Sequence, residues 1–202
     1  MTRIAMLVLV IAACGGGPVP QTRYYQLAAP TAKAPEPATS STEIAVEPLV
    51  ADGAYGDQRM IYRSDPVRLD FYDYHRWSTA PGAMIADFVE KALADSGRFS
   101  AVTREATATT AVVLGGRVTA LEEVDVDPHH WVAHVAVELA ARDASTGKLV
   151  WTRTFDEREP ESAQTPEGLA RAAGVALGRI VRSAAPDLAR LADHAKVARQ
   201  LE

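Results

Sequence analysis

Two long runs of alternating apolar and polar residues constrain the fold of this chain most strongly. Residues 111–123 and 131–142 alternate along most of their length, which is the period of a half-buried β-strand. The sequence DASTGK at 143–148 is typical of a turn, and a third β-rich run follows at 149–156. These segments predict an antiparallel meander. One face of its second strand should carry Trp131, Ala133, Val135, Val137 and Leu139.

Two other segments have helical periodicity. Residues 81–95 carry apolar side chains three and four positions apart, with Pro81 suited to the first turn and Gly97 to the C-terminal stop. A second helix begins near Pro166. Because Pro186 cannot continue a helix without strain, we expect a break or kink there, before a shorter segment to about residue 200. The predicted buried face of this helix consists of Leu169, Ala172, Ala173, Ala176, Leu177, Ile180 and Val181.

Shorter β-rich runs precede and separate these elements. We predict strands at 22–28, at 43–50 and at 99–103, and a hairpin that turns at residues 64–66. The order of strands, one helix, more strands and one long helix is typical of the α+β class. The predicted fold is therefore an antiparallel or mixed sheet of about five or more strands, packed by two main helices on one face.

The N-terminus has the order of a secretory signal. Arg3 gives a positive start, an apolar run follows at 4–11, and the small residues at 12–13 precede Cys14. The apolar run is too short to span a bilayer, which takes about 20 residues. The string IAAC at 11–14 resembles the bacterial lipobox. It implies cleavage after a signal peptide at 1–13 and lipidation of Cys14.

The remainder is organised as a tether and one domain. Residues 14–21 form the lipidated tether, and 22–202 form a single periplasmic domain with a Pro/Ala-rich loop at 30–41. Gly15, rather than an aspartate, follows the cysteine. By the sorting rule known for enteric bacteria, this favours the periplasmic face of the outer membrane, with the inner membrane as the alternative.

Composition and motifs argue against several functional classes. Cys14 is the only cysteine, so disulfides, thiolate catalysis and cysteine metal sites are excluded from the mature domain. The net charge of −5 gives no basic surface for nucleic acid. The glycine pair at 115–116 lies in a predicted strand, where it indicates a bulge or a close crossing rather than a phosphate-binding loop. We expect no catalytic residues, no cofactor and no enzymatic activity.

The histidines form the motif HHxxxH, with His129, His130 and His134. On a helix, the last two could share a zinc ion. On the predicted strand they lie about 13 Å apart, so they cannot share a metal without a partner chain. We therefore predict solvent-facing positions and no metal site.

An acidic cluster leads into a turn at Pro128. Paired carboxylates can act as acid and base, but the sequence indicates neither an apolar pocket nor an orienting partner for them. We therefore predict a solvated loop. The cluster consists of Glu122, Glu123, Asp125 and Asp127.

Residues 71–77 are rich in aromatic side chains, although only 6% of the chain is aromatic. Tyrosine, tryptophan and arginine are enriched at interface hot spots. Two interpretations stay open: core packing, in which Trp77 covers the start of the first helix, and contact with a partner from a loop leading into that helix. The candidate partner-binding residues are Tyr72, Tyr74, Arg76 and Trp77.

Several blocks of the sequence resemble one family. The blocks are TRYYQLAAP soon after Cys14, MIYR at 60–63, DYHRW at 73–77, VLGGRVTALEEVD and DASTGKLVWTRTF. They are similar to the ABC-type transport auxiliary lipoproteins, the group that includes paraquat-inducible protein C. The resemblance covers essentially the whole mature chain in consistent order. The long linker at 30–41 departs from the pattern and leaves the geometry of the first strand open.

This resemblance implies a non-catalytic accessory role in a Mce-type (mammalian cell entry) ABC system, which moves phospholipid or other lipids between the inner and outer membranes. The ATPase, the permease and the Mce-domain protein would be separate chains. A homo-oligomer stays open. The alternatives are a structural or interaction lipoprotein of the cell envelope unrelated to transport, and a tethered periplasmic enzyme.

Overall fold

Nine strands and two α-helices make up the part of the chain that the structure, a computed structural model, describes: residues 20–28 and 42–200. The strands are β1 (Arg23–Tyr25), β2 (Glu43–Val46), β3 (Val50–Ala51), β4 (Arg59–Asp65), β5 (Arg68–Trp77), β6 (Ala101–Thr103), β7 (Thr110–Asp127), β8 (His130–Asp143) and β9 (Leu149–Pro160). The helices are α1 (Pro81–Asp95) and α2 (Pro166–Gln200), and a short 3-10 turn spans Gly53–Gly56. The predicted signal peptide at 1–13, the lipidation site Cys14 and the Pro/Ala-rich loop at 30–41 lie outside the described residues.

All nine strands belong to one mixed sheet. Its main path runs in the order β1, β5, β4, β7, β2, β6, and β8 and β9 continue from the other edge of β7. The first half of β7 pairs in parallel with β2, and its second half pairs in parallel with β4. The predicted α+β class, with a mixed sheet and two main helices, is confirmed.

The predicted meander is formed by β7, β8 and β9, which pair in antiparallel fashion. Strands β7 and β8 approach each other closely at Gly116, whose φ is +152°. A Cβ atom on Gly116 would lie 2.0 Å from the backbone oxygen of Glu138. The glycine pair therefore marks a close crossing of two strands, one of the two predicted alternatives.

Helix α1 has the predicted bounds. It begins at Pro81 and ends at Asp95, and Gly97 follows with a φ of +64°, a conformation that glycine adopts without strain. Its apolar side chains, among them Ile85, Val89 and Leu93, are buried against the sheet and α2.

Helix α2 buries the predicted stripe, but it does not break at Pro186. It is one continuous helix to Gln200, so of the predicted break or kink the break is wrong. Proline has no amide hydrogen, so the helix loses one hydrogen bond, to the carbonyl of Arg182 four residues earlier. Arg182 is exposed to solvent. Beyond the proline, Leu188 and Ala192 are fully buried, and this apolar contact favours continuation of the helix. Among the helices of the described residues, none combines the length and apolar character needed to cross a membrane.

Two hairpin turns lie at the same end of the sheet. The β4–β5 turn is at residues 66–67 and the β7–β8 turn is at residues 128–129. Because β4 and β7 are parallel neighbours, with Arg63 beside Val124, both turns project in one direction. We call this the hairpin end. Strand β5 runs away from it, and β1 is parallel to β5.

Candidate functional site

Two consecutive glutamates on β7 are buried on opposite faces of the sheet. Glu122 and Glu123 are 3% and 0% exposed. Glu123 pairs in register with Ala133, a core residue under the helices, whereas Glu122 pairs with His134 on the other face. The predicted solvated loop is therefore wrong for both glutamates, because β7 continues through the acidic cluster to Asp127.

The carboxylate of Glu122 accepts hydrogen bonds from three side chains. Arg63, on β4, donates from Nη2 at 3.1 Å and from Nε at 3.2 Å. The hydroxyl of Tyr55 donates at 2.8 Å, from the 3-10 turn that covers this face. Nδ1 of His134 lies 3.2 Å from the same carboxylate. Arginine and glutamate thus form a largely buried ion pair with two further polar partners.

These partners determine the charge of Glu122. Burial by itself raises the pKa of its carboxyl, but hydrogen bonds from His134, Arg63 and Tyr55 outweigh burial, and the net pKa is lowered. Burial and the neighbouring carboxylate raise the pKa of Tyr55 to about 12. Glu122 is therefore ionised at neutral pH, which makes it a poor general acid.

A cleft of about 540 Å³ lies beside this network. It is on the sheet face opposite the helices and reaches the β4–β5 turn at the hairpin end. The volume falls within the range of small-ligand pockets, roughly 300–1,000 Å³. Polar residues that line it include Tyr55, Arg63, Asp65, Glu122, His134 and Arg158. Its walls therefore carry charges of both signs.

The histidines lie where strand geometry separates them. His130 is exposed and lies 2.6 Å from Asp127, as a solvent-facing position should. His134 is different: its side chain is only 12% exposed and lies between Glu122 and Asp156, at 3.2 and 3.1 Å. The prediction of a solvent-facing position is wrong for His134, because Glu122 draws it into the buried network. Within the described residues, no group of three ligating side chains is placed to hold a metal ion.

Glu123 has a separate set of partners under α2. The Tyr72 hydroxyl donates to it at 2.8 Å, and the Gln164 amide donates at 3.3 Å to Glu123 and at 3.2 Å to Asp125. Both carboxyl oxygens of Glu161 are buried beside this group, and no donor from the described residues reaches them.

Burial, followed by the nearby charge of Glu123, raises the pKa of Glu161 to about 9. Burial also raises the pKa of Glu123. At neutral pH, Glu161 is therefore protonated and uncharged beside Glu123.

The aromatic segment belongs to a strand. It forms the second half of β5, so the predicted loop is wrong: β1 and β4 pair with β5 on either side and extend it to Trp77. Trp77 is 1% exposed, in agreement with the core interpretation for this residue, and Tyr72 points to Glu123. Tyr74 is 45% exposed and has a φ of +57°, which is rare for a residue other than glycine. Arg76 donates to the carbonyl oxygens of Tyr72 and His75.

Sequence reasoning missed four residues of these two networks: Tyr55, Arg63, Gln164 and Glu161. They come from segments far along the chain, and 59 positions separate Arg63 from Glu122. The signal closest to them was MIYR at 60–63, whose last residue is the arginine that neutralises Glu122.

Comparison with solved structures supports the fold. A crystal structure of a Xanthomonas campestris protein of the family DUF330 superposes with a TM-score of 0.72 at 21% identity, covering 85% of this chain and 98% of that one. An uncharacterized protein superposes with a TM-score of 0.69 at 12% identity, covering 84% of this chain and 99% of that one. At these identities the similarity establishes fold alone.

Comparison with protein families gives a more specific result. Curated protein sequences give no significant match. The family described as the ABC-type transport auxiliary lipoprotein component matches residues 25–185, which include every strand from β2 to β9, helix α1 and the first part of α2. This chain belongs to the ABC-type transport auxiliary lipoprotein family.

Proposed function

We propose that this chain is a lipid-anchored, non-catalytic auxiliary subunit of a Mce-type ABC system, which moves phospholipid or other lipids between the inner and outer membranes. The observation that carries the proposal is the family match over residues 25–185. The ATPase, the permease and the Mce-domain protein are separate chains in this proposal, and this chain acts through contacts with them.

The anchor in this proposal is Cys14, the only cysteine of the chain. Each buried methylene of an acyl chain contributes about 0.8 kcal/mol, so several chains on one cysteine hold a protein on a membrane durably. Because Gly15 follows the cysteine, we place the anchor in the periplasmic face of the outer membrane.

Replacement of the cysteine tests the anchor. Cys14→Ala should remove labelled acyl chains from the protein and release it from the membrane fraction, whereas Gly17→Ala, in the same tether, should change neither. Separation of inner from outer membranes then tests the location. A Cys14→Ala chain that still incorporates label and still sediments with membranes would contradict lipidation at this residue.

A non-catalytic role agrees with the chemistry of the cleft. The carboxylate of Glu122 is neutralised by Arg63 and its oxygens are occupied by three donors, so it is a structural anion. A general base needs a free lone pair directed at a substrate and a pKa near the working pH. Glu122 has neither.

We further propose that the exposed part of the aromatic segment contacts the transport machinery. Tyr74 presents its ring to solvent from a strained backbone conformation, and such strain often accompanies functional positions. Arg76 lies two positions further along β5. The half-buried Tyr72 and the buried Trp77 support this surface by packing against the core.

Three variants test the contact. Tyr74→Ala should melt close to wild type, and Arg76→Ala should melt somewhat earlier because its guanidinium donates to the carbonyl oxygens of Tyr72 and His75. Both should recover less Mce-domain protein in a pull-down from membranes. Trp77→Ala should lose about 3–5 kcal/mol of stability, as truncation of a buried tryptophan does. Wild-type recovery by both surface variants would exclude this segment as the contact.

The same pull-down tests the function itself. Wild-type protein should recover the Mce-domain protein, the permease and the ATPase, and lipid analysis of the purified complex should identify the transported lipid. Recovery of peptidoglycan or of unrelated lipoproteins instead would favour the structural role in the cell envelope.

A further inference from the structure

We propose that the hairpin end of the sheet rests on the lipid surface that holds Cys14, with Val67 and Val126 as its contact residues. The inference rests on the proposed lipidation and adds an orientation of the domain to it. It depends on three properties of the described residues: the direction of β1, the distance to the hairpin turns, and the exposure of two valines.

The chain enters the domain from the hairpin end. Strand β1 is parallel to β5, with Arg23 beside His75, and β5 starts at the hairpin end. Helix α2 also starts there, because β9 ends beside the first residues of β8. The Tyr25 hydroxyl donates to Glu167 in the first turn of α2, and the Ala28 amide then reaches the carbonyl of Ala170 further along. An extended continuation of β1 before Arg23 would therefore lead back toward the hairpin turns.

The length of the tether fits this direction. Eight positions of β5 and its turn separate Val67 from His75, at most about 26 Å at 3.3 Å per residue, because β5 is irregular against β4 between Phe71 and Arg76. Nine positions separate Cys14 from Arg23, a maximum reach of about 30–32 Å. A lipid on Cys14 can therefore lie just beyond the hairpin turns.

Each hairpin presents an apolar side chain at this end. Val67 is 94% exposed in the β4–β5 turn, and its amide is held at 2.9 Å by the Asp65 carboxylate. Val126 is 61% exposed and lies one residue before the end of β7. Extending the β4–β7 register by two positions would place Val126 beside Asp65, two residues from Val67.

The free energy gained by burying two valines is enough to orient a tethered protein but not to bind it to a membrane from solution. Burying one contributes at most about 1.5–3 kcal/mol, which is too little to bind a membrane from solution. A tether makes the contact intramolecular and raises the effective concentration of the surface, so a weak contact suffices to fix the orientation. The carboxylates Asp65 and Asp127 flank the valines, and the guanidinium of Arg68, beside Val67, is paired with Asp70. The carboxylates therefore outnumber the guanidinium at this end, which disfavours anionic headgroups, and we assign a zwitterionic lipid surface.

Tryptophan probes at two valines test the inference with the full lipidated protein. Val67→Trp places the probe at the hairpin end. Val150→Trp is the matched control, since Val150 is a 44% exposed valine at the opposite end of the sheet, where β9 starts. Each protein is reconstituted in phosphatidylcholine vesicles that contain brominated acyl chains, and the fluorescence beyond that of the native tryptophans is measured.

Brominated lipid should quench most of the fluorescence added by Val67→Trp and little of that added by Val150→Trp. A second arm replaces Val126 with serine in the Val67→Trp protein, which should reduce the quenching without lowering the melting temperature. Equal quenching of both probes, or none at the hairpin end, would overturn the inference.

Two controls separate the possible causes of failure. Flotation with the vesicles reports the anchor: protein that does not float contradicts the proposed lipidation, whereas protein that floats without quenching contradicts only the orientation. The second control measures acrylamide quenching of the Val67→Trp probe in detergent, without vesicles. If the probe becomes better protected from acrylamide as protein concentration rises, the hairpin end forms a contact between copies of this chain. That result would overturn the lipid inference.

Discussion

The guanidinium of Arg63 and the carboxylate of Glu122 form an ion pair at 3.1 Å that joins β4 to β7 where the two strands run in parallel. The side chain of Glu122 is 3% exposed and that of Arg63 is 22% exposed, so water screens the pair weakly. The same carboxylate accepts hydrogen bonds from the Tyr55 hydroxyl and from Nδ1 of His134. The polar wall of the cleft is therefore built around the carboxylate of Glu122.

Removal of the arginine should destabilise the domain strongly. Arg63→Ala leaves the buried charge of Glu122 without its cation, and breaking such a pair typically costs about 3–5 kcal/mol. Chemical denaturation at neutral pH measures the loss. As a control, Arg68→Ala removes an exposed partner of Asp70 and should cost less than about 1 kcal/mol. Similar losses in the two variants would show that the buried pair contributes no more than a surface one.

The buried carboxyl of Glu161 should make stability depend on pH. The folded state binds this proton more tightly than the unfolded state, because the pKa is raised from 4.5 to about 9. The stabilisation is complete below pH 4.5 and is lost as pH rises through about 9. Within that window, one proton changes the free energy of unfolding by about 1.4 kcal/mol per pH unit.

Glu161→Gln should therefore be more stable than wild type in the alkaline half of this window, since a buried amide stays uncharged beside Glu123 at every pH. Denaturation midpoints over a pH series give the difference between the two proteins, and that difference should grow with pH. Glu105→Gln, at an exposed glutamate, should follow the wild-type curve. Parallel curves for wild type and Glu161→Gln would refute the raised pKa.

The parts of the fold that follow local periodicity were predictable from the sequence. Helix α1, the buried stripe of α2 and the meander depend on side chains within one element, whose spacing is visible in the chain. The predicted break at Pro186 was wrong because the apolar contacts of Leu188, beyond the proline, outweigh the loss of a single hydrogen bond. Those contacts depend on the sheet, which local pattern does not reveal.

The candidate site was less predictable, because its residues acquire their properties from distant partners. Glu122 and Glu123 stand in an acidic run that is typical of solvated loops. Their burial requires Arg63 and Tyr72 to cover them, from strands that precede them by 59 and 51 positions. A single sequence does not show which cations and hydroxyls will meet which carboxylates.

The attachment of the N-terminal strand to α2 gives another prediction. A Cβ on Gly174 would lie 2.0 Å from the carbonyl oxygen of Ala28. Alanine is favoured over glycine in a helix by about 1 kcal/mol, so a net destabilisation by Gly174→Ala would identify the contact as its cause. We expect lower stability and faster proteolysis near Arg23. Val175→Ala, on the exposed side of the same turn, should change neither.

The crossing of β7 and β8 provides the last prediction, for which the chain contains its own control. Gly116 and Gly147 both have positive φ, at +152° and +70°, but a Cβ on Gly147 meets no atom within 4 Å. Gly147→Ala should therefore cost only backbone strain, about 1–2 kcal/mol. Gly116→Ala adds a clash with the backbone of Glu138, which cannot move without separating the two strands, and should cost more than about 3 kcal/mol. Denaturation of both variants measures the difference. Equal losses of stability in the two variants would mean that the backbone of β8 can move to accommodate the added methyl group at Gly116.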